Sequence, residues 1–169
     1  MKLYLVRHAD AIERNGTVAE GERYLTPKGR TSFRKTGEVL KKKGLLPDLI
    51  LTSPLIRAVQ TADILAESLA FEGEVQVAGA LAPGFDADAL YRLLTQCGSV
   101  RKIALVGHEP DLGDVVSSLL GLDVPFRMKK GAVVALEVEP ADRGVPARFR
   151  WLVHGGKKPV RTWEEAVAG

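Results

Sequence analysis

The chain contains very little cysteine and histidine and no long apolar run. Its single cysteine, Cys97, excludes an internal disulfide and a cysteine-based metal cluster, and we expect a buried small hydrophobe rather than a reactive thiol. Three histidines offer few ligands for a metal site: His8, His108 and His154. Only four consecutive apolar residues precede Arg7, too few for a signal peptide or a membrane span. The sequence therefore predicts a cytoplasmic protein with no membrane contact.

The composition is that of an ordered domain. With 169 residues, 46% of them hydrophobic and 27% charged, the chain can bury a sizeable core. We expect a single domain over residues 1–169, with a short C-terminal tail from about residue 155. Lys+Arg 24 against Asp+Glu 21 leaves a net charge of +3, which is too small to indicate a nucleic-acid partner. The lysine run at residues 41–43 is interpreted as a solvated helix end.

Short apolar runs alternate with amphipathic segments along the chain. Six strands are predicted, at residues 2–6, 48–52, 75–77, 101–106, 132–138 and 147–153. Thr26-Pro27 and Ser53-Pro54 predict helices that run to about residues 43 and 70, since each pairs a capping residue with proline. Further helices are predicted at residues 86–95, 110–120 and after Thr162. This order predicts a three-layer α/β/α sandwich with a mainly parallel central sheet.

Polar side chains follow three of the predicted strands. Arg7 and His8 follow the first, Arg57 lies shortly after the second, and His108 follows the fourth. Ligands of such sheets bind beyond the carboxyl ends of the strands, and arginine offers a fork of donors matched to phosphate oxygens. We therefore predict a phosphoryl-binding pocket there. Two alternatives stay open: ordinary surface or capping roles for each residue, and a binding module without chemistry. The chain has no glycine-rich phosphate loop.

Three segments carry a resemblance to a known family. LYLVRHAD at 3–10, LTSPLIRAVQTA at 51–62 and LVGHEP at 105–110 resemble, in order and spacing, the signature segments of the histidine phosphatase superfamily, which has the phosphoglycerate-mutase-like fold. The short length, LTPKG at 25–29 and LAPGFD at 81–86 resemble the SixA-type phosphohistidine phosphatases. The familiar Arg-His-Gly triplet here has Ala9 as its third residue.

The resemblance implies a role for each of four residues. His8 would be the nucleophile that accepts the phosphoryl group, Arg7 and Arg57 would clamp the phosphate oxygens, and His108 would complete the pocket. A neutral imidazole is a competent nucleophile near pH 7, and neighbouring guanidinium groups disfavour its protonated form. Water would then release inorganic phosphate from His8. No metal and no organic cofactor is expected.

The general acid of many relatives is missing. The carboxylate expected after Leu81 is replaced by Ala-Pro-Gly, which leaves Asp86, Asp88 and Glu109 as weak candidates. Asp86 and Asp88 are more simply interpreted as carboxylates at a helix N-terminus. An alkoxide leaving group needs a proton, whereas the imidazole of phosphohistidine, whose conjugate acid has a pKa of about 6.5, leaves much more readily. The gap therefore favours a phosphohistidine substrate.

Three functions remain open at this point. The first is a phosphatase acting on a phosphohistidine-bearing protein, since 169 residues leave no room for a large lid over the site. The second is a small-molecule phosphomonoester phosphatase, acting on a sugar phosphate or nucleotide. The third is a phosphate-dependent binding or regulatory protein with vestigial activity. His154 has no motif around it and is interpreted as a strand-end or surface residue.

Overall fold

Six strands form a single mixed sheet in the computed structural model, which describes residues 1–168. They are β1 (Lys2–Arg7), β2 (Leu49–Thr52), β3 (Val75–Val77), β4 (Lys102–Gly107), β5 (Val133–Glu137) and β6 (Arg148–Val153). The spatial order is β3-β2-β4-β1-β5-β6. The first four are mutually parallel, β5 runs antiparallel to β1, and β6 runs antiparallel to β5. The prediction of a mainly parallel sheet is therefore confirmed.

Helices cover both faces of this sheet, as the three-layer prediction requires. They are α1 (Pro27–Lys42), α2 (Ile56–Leu69), α3 (Ala87–Gln96), α4 (Asp111–Leu120) and α5 (Trp163–Ala168). Alternate residues of β1 point to opposite faces, so Tyr4 and Val6 pack with α1 and α2, while Leu3 and Leu5 pack with α3 and α4. Two apolar cores thus hold the central strands rigidly from both sides.

The sequence signals for α1 and α2 have different outcomes. Thr26 is the N-cap of α1, where its hydroxyl oxygen accepts a hydrogen bond of 2.9 Å from the Gly29 N–H. The predicted cap at Ser53 is wrong, because α2 begins at Ile56 after Leu55. The Ser53 N–H donates to the Val106 carbonyl at 2.9 Å, so the chain still follows the sheet there. The Ser53 hydroxyl accepts a hydrogen bond of 3.3 Å from the Leu55 N–H, outside the helix, and also contacts a histidine, as described below.

The C-terminal segment packs on the body of the protein. Val160 forms an antiparallel bridge with Leu152, and the Trp163 ring lies 4.9 Å from that of Phe126. Thr162 caps α5, as predicted, by accepting the Glu165 N–H at 3.4 Å. Gly169, the end of the predicted tail, lies outside the described residues. Within residues 1–168, no helix is long and apolar enough to cross a membrane.

Cys97 lies at the end of α3. It packs against the core, so the expected role as a small hydrophobic residue is confirmed. The side chain is only partly buried, however, where full burial was expected. Burial raises the pKa of its thiol, which keeps the group protonated.

Candidate active site

His8 follows β1 at the carboxyl edge of the sheet and is only 8% exposed. Its Nδ1 lies 2.7 Å from the Ala9 carbonyl oxygen, and its Nε2 lies 3.3 Å from the Arg57 Nε. A carbonyl can only accept and a guanidinium can only donate, so Nδ1 carries the proton and Nε2 carries the lone pair. The backbone and Arg57 together therefore select one tautomer of the ring.

The charge state of His8 follows from its surroundings. Burial lowers the pKa of its imidazole to about 3, and the charges of His108, Arg57 and Arg7 act in the same direction, while the Ala9 carbonyl opposes them. The ring is therefore neutral at physiological pH. Nε2 keeps its lone pair, which is what a nucleophile at this position needs.

Arg57 occupies the first turn of α2, as predicted, and is 4% exposed. Its Nη1 donates to the Glu20 carbonyl oxygen at 2.7 Å and its Nη2 donates to the Glu20 carboxylate at 2.9 Å. Thr61, one turn further along α2, donates to the Arg57 carbonyl at 2.7 Å and accepts the Ala9 N–H at 3.1 Å. Hydrogen bonds therefore fix Arg57 at both its backbone and its guanidinium.

Sequence reasoning missed Glu20, which lies in a short 3-10 helix (Glu20–Glu22) within the long loop before α1. Its carboxylate pairs with Arg14 at 2.8 Å, Arg23 at 3.0 Å and Arg57 at 2.9 Å. Hydrogen bonds from Arg14 and Arg23, with the charges of Arg23 and Arg57, lower its pKa to about 2. Glu20 is therefore ionised at neutral pH. No spacing motif identifies it, because only the folded loop brings it to α2.

His108 follows β4 and is 4% exposed, with its ring centroid 5.3 Å from that of His8. Its Nε2 lies 2.7 Å from the Ser53 hydroxyl, and its Nδ1 is buried without a hydrogen-bond partner. Burial, reinforced by the charge of Arg57, lowers its pKa to about 4. Ser53 therefore orients the His108 ring, a positioning role that the sequence did not reveal.

Arg7 ends β1 and is half-buried beside Glu109. One terminal nitrogen donates to the Met128 carbonyl, and its Nε is buried without a partner. Burial lowers its pKa, while the charge of Glu109 raises it. The Arg7 Nε and the His108 Nδ1 are therefore two buried nitrogens that an oxygen-rich anion would satisfy.

Glu109 points into the protein. Both of its carboxylate oxygens are inaccessible to solvent, in a space that exists because residue 113 is glycine. A Cβ there would lie 2.9 Å from the Glu109 Oε2 and would also collide with the Phe126 carbonyl. Burial raises the pKa of Glu109 to about 7, although the charge of Arg7 opposes the shift. The carboxyl group is therefore close enough to Arg7 to feel its charge, and both of its oxygens are closed to solvent.

The other acidic candidates have structural roles. Asp86 is the N-cap of α3 and accepts the Ala89 N–H at 2.7 Å, and the exposed Asp88 pairs with Arg143 at 2.8 Å. Asp111 accepts the N–H groups of Gly84 at 2.7 Å and Phe85 at 3.2 Å, which anchors this segment to α4. The helix N-terminus interpretation of Asp86 is therefore confirmed.

The third histidine of the chain, His154, lies away from this cluster. His154 follows β6 and lines a separate cavity, so it does not join His8 and His108. Across residues 1–168, no three His, Cys, Asp or Glu side chains come close enough together to hold a metal ion.

The fold and the site define a class of protein: an α/β/α domain with two neutral histidines and two arginines converging at the carboxyl edge of a parallel sheet. Residues 3–82 match the family model described as the histidine phosphatase superfamily (branch 1). The chain belongs to the histidine phosphatase superfamily, and its fold is the phosphoglycerate-mutase-like fold of SixA. Membership supports a phosphatase, with a phosphorylated substrate and phosphate as product.

Two curated relatives are similar over most of the chain. An uncharacterised protein of Picosynechococcus sp. is 40% identical over 116 residues, which cover 68% of this chain and 70% of that protein. Phosphohistidine phosphatase SixA of Escherichia coli is 25% identical over 154 residues, covering 89% of this chain and 92% of that protein.

Solved structures confirm the fold. The protein histidine phosphatase SixA complexed with tungstate superposes with a TM-score of 0.82 at 22% identity, covering 92% of this chain and 97% of that chain. A mycobacterial glucosyl-3-phosphoglycerate phosphatase superposes with a TM-score of 0.66 at 21% identity, covering 92% and 99%. The fold is thus shared by phosphatases whose named substrates differ, so the substrate must be argued from this chain's own residues.

Proposed function

We propose that this protein is a phosphatase that removes the phosphoryl group from phosphohistidine on a protein, with His8 as the nucleophile. One observation carries the proposal: neither carboxylate that contacts the site can protonate a leaving group. Glu20 is ionised between three arginines, and the oxygens of Glu109 are sealed from solvent. Loss of a general acid costs about 10² to 10⁴ in rate for a substrate that needs one. Phosphohistidine does not, because its leaving group is an imidazole.

In the first step, the His8 Nε2 lone pair forms a bond to phosphorus while the bond from phosphorus to the substrate nitrogen breaks. The electron pair of that broken bond stays on the substrate imidazole, which leaves neutral when its other nitrogen carries a proton. The His8 ring now bears positive charge, and the Ala9 carbonyl at 2.7 Å from Nδ1 stabilises it. The same hydrogen bond therefore selects the reactive tautomer and supports the phosphorylated ring.

The charge of the transferring group is spread over its three outer oxygens. Arg57, the Arg7 Nε and the His108 Nδ1 supply donors from three sides, and each well-placed donor of this kind contributes about 10² to 10³ in rate. In the second step, water attacks phosphorus, the bond to Nε2 breaks and its electron pair returns to His8. The water proton leaves with phosphate or passes to solvent.

A small-molecule phosphomonoester phosphatase is the second candidate. The observation that favours it is the pKa of Glu109, about 7, which leaves a proton on this carboxyl group over much of the neutral range. That proton could serve an alkoxide only if Glu109 moved out of its enclosed space beside Gly113. A purely binding protein with vestigial activity is disfavoured, because the His8 ring is neutral and its proton lies on Nδ1, which leaves the Nε2 lone pair for nucleophilic attack.

The decisive experiment compares kcat/KM for a phosphohistidine-bearing protein and for free phosphohistidine with kcat/KM for a panel of sugar phosphates and nucleotides. We expect the phosphohistidine substrates to exceed the monoesters by about 10² or more, the rate that the missing acid would supply. A monoester that is preferred by orders of magnitude would contradict the proposal and favour the second candidate.

A further inference from the structure

A cavity of about 410 Å³ opens at the same edge of the sheet as the candidate active site. Val6 of β1 pairs with Val133 of β5, and Val133 pairs with Val153 of β6, so the end of β6 lies beside the end of β1. Two strand spacings of about 4.8 Å place β6 roughly 10 Å from β1. The cavity is therefore an immediate neighbour of His8 and Arg7.

Residues 126–131 form the wall between the two. Met128 and Gly131 bond to the catalytic side, through the Arg7 guanidinium and the His8 carbonyl respectively. Phe126 and Arg127 of the same segment line the cavity. One short stretch of chain therefore has the candidate active site on one side and the cavity on the other.

The floor of the cavity is apolar and aromatic. The rings of Phe126 and Trp163 lie 4.9 Å apart, and both line it. Val124 and Val167, 69% and 54% exposed, also belong to the lining. Exposed apolar side chains grouped around a concavity are typical of a surface that binds another molecule. The shape admits one or two apolar side chains from a partner.

The rim of the cavity is basic. Lys157 and Lys158 are exposed, and neither takes part in an ion pair within residues 1–168. Arg127, which also lines the cavity, is neutralised by Asp114 at 2.6 Å. Glu165 is the acidic residue of the lining. The surplus of positive charge favours an anionic partner.

We propose that this cavity, with its apolar floor and its Lys157–Lys158 rim, binds an acidic segment with one apolar residue of the phosphoprotein substrate, next to the phosphohistidine. The inference rests on the proposed function and deepens it by naming what the substrate must carry. An extended chain advances about 3.3 Å per residue, so roughly 10 Å corresponds to about three residues. The acidic segment is therefore expected about three positions from the phosphohistidine, or at that distance on a folded surface.

The test uses two peptides, each phosphorylated on one histidine with phosphoramidate. About three residues from that histidine, one peptide carries Asp-Leu-Glu and the other carries the uncharged Asn-Leu-Gln. We expect the wild-type protein to turn over the acidic peptide with a kcat/KM about tenfold higher, the effect of two or three exposed charge contacts. The preference should fall as salt is added, because exposed charges are screened.

Two charge-reversed variants localise this preference. In the double variant Lys157→Glu, Lys158→Glu, the ratio of the two kcat/KM values should fall to about one or below. The matched control is Lys41→Glu, Lys42→Glu, which makes the same change in charge at the exposed C-terminal end of α1 and should keep the wild-type ratio. The uncharged peptide reports any general loss of activity in either variant.

Equal kcat/KM for the two peptides in the wild-type protein would overturn the inference, and so would a preference that survives in the Lys157–Lys158 variant. A concentration-dependent dimer that the same variant abolishes would assign the cavity to a second copy of the chain and would also overturn it. The uncharged peptide distinguishes failure of the docking inference from failure of the proposed function. If neither phosphohistidine peptide is hydrolysed, the proposed function itself fails and the docking inference fails with it.

Discussion

Glu20 holds Arg57 at both terminal nitrogens of the guanidinium: its carbonyl oxygen accepts from Nη1 at 2.7 Å and its carboxylate accepts from Nη2 at 2.9 Å. The arginine proposed to clamp the phosphoryl group is therefore held in place by an acid from a loop. The arrangement has two opposing effects. It orients Arg57 before an anion arrives, and it places a negative charge near that anion.

The change Glu20→Gln separates these effects, because glutamine keeps the backbone contact and an oxygen acceptor but removes the charge. A unit charge at roughly 5 Å in water contributes about 0.8 kcal/mol, or about fourfold in affinity. We expect the inhibition constant of inorganic phosphate to fall about fourfold. Glu22→Gln, in the same 3-10 helix, is the matched control and should leave it unchanged. An unaltered inhibition constant in the Glu20 variant would show that the carboxylate does not oppose the anion.

Replacing the proposed nucleophile tests the covalent intermediate. We expect His8→Ala to lower turnover by about 10⁴ or more, since both steps pass through its Nε2. The wild-type protein, quenched during turnover, should retain acid-labile, base-stable phosphate, and the variant should retain none. The measurement is the radiolabel that stays with the denatured protein. Label trapped on the His8→Ala protein would mean that another residue is the nucleophile.

The buried carboxyl of Glu109 predicts a pH-dependent stability. Its pKa is about 7 in the folded protein against an ordinary value of 4.5, so between these pH values the folded state binds more protons than the unfolded state. This carboxyl therefore lowers the free energy of unfolding as the pH rises from 4.5 to 7, by on the order of 2 kcal/mol once the shift is discounted for the solvent screening of a partly buried residue.

The change Glu109→Gln removes that dependence. Relative to wild type, the free energy of unfolding of the variant should rise as the pH increases from 4.5 to 7, and the difference should become constant above pH 7. Urea unfolding at several pH values measures it, with the exposed Glu38→Gln as a control that should show no trend. A difference that is flat with pH would mean that Glu109 does not titrate in this range.

His8 and His108 contribute with the opposite sign. Their pKa values of about 3 and about 4 lie below the ordinary 6.5, so the unfolded state binds more protons in the intervening range. Their contribution to stability is therefore present above pH 6.5 and is lost as the pH falls towards 4. The Glu109 comparison cancels this term, because both histidines are present in wild type and variant.

Gly113 provides a prediction about packing. Alanine in place of glycine within a helix ordinarily stabilises by about 1 kcal/mol. Here the added Cβ would lie 2.9 Å from the Glu109 carboxylate and would collide with the Phe126 carbonyl, so we expect Gly113→Ala to destabilise by about 1–3 kcal/mol. Gly79→Ala, where the Cβ would meet nothing within 4 Å, is the control. Thermal unfolding measures both, and equal melting temperatures would contradict the enclosed position of Glu109.

The parts of the site that the sequence predicted share one property: each lies next to a strand end. Arg7 ends β1, and His8 and His108 directly follow β1 and β4, so the topology of a parallel sheet suffices to bring them to one edge. Arg57 is separated from the end of β2 by a short turn and lies in the first turn of α2. All six strands were also predicted. The four central strands β1, β2, β4 and β5 carry the continuous apolar residues of buried strands, whereas the edge strands β3 and β6 are largely exposed.

The parts that the sequence did not predict depend on tertiary contacts. Glu20 reaches Arg57 only because the loop before α1 is folded back, through the bridge between Ala11 and Leu25. Ser53 has the residue type and the following proline of a helix cap, but its hydroxyl contacts His108, which follows the neighbouring strand β4. Local patterns cannot reveal either contact.

The backbone of Ala9 joins the nucleophile to its clamp. Its carbonyl fixes the His8 ring, and its N–H bonds to Thr61, which in turn bonds to the Arg57 carbonyl. Because these bonds use only main-chain groups of residue 9, alanine performs them as well as the glycine of the familiar triplet. A displacement of β1 relative to α2 would therefore have to break the hydrogen bonds through Thr61, which hold the nucleophile and the phosphate clamp in mutual alignment.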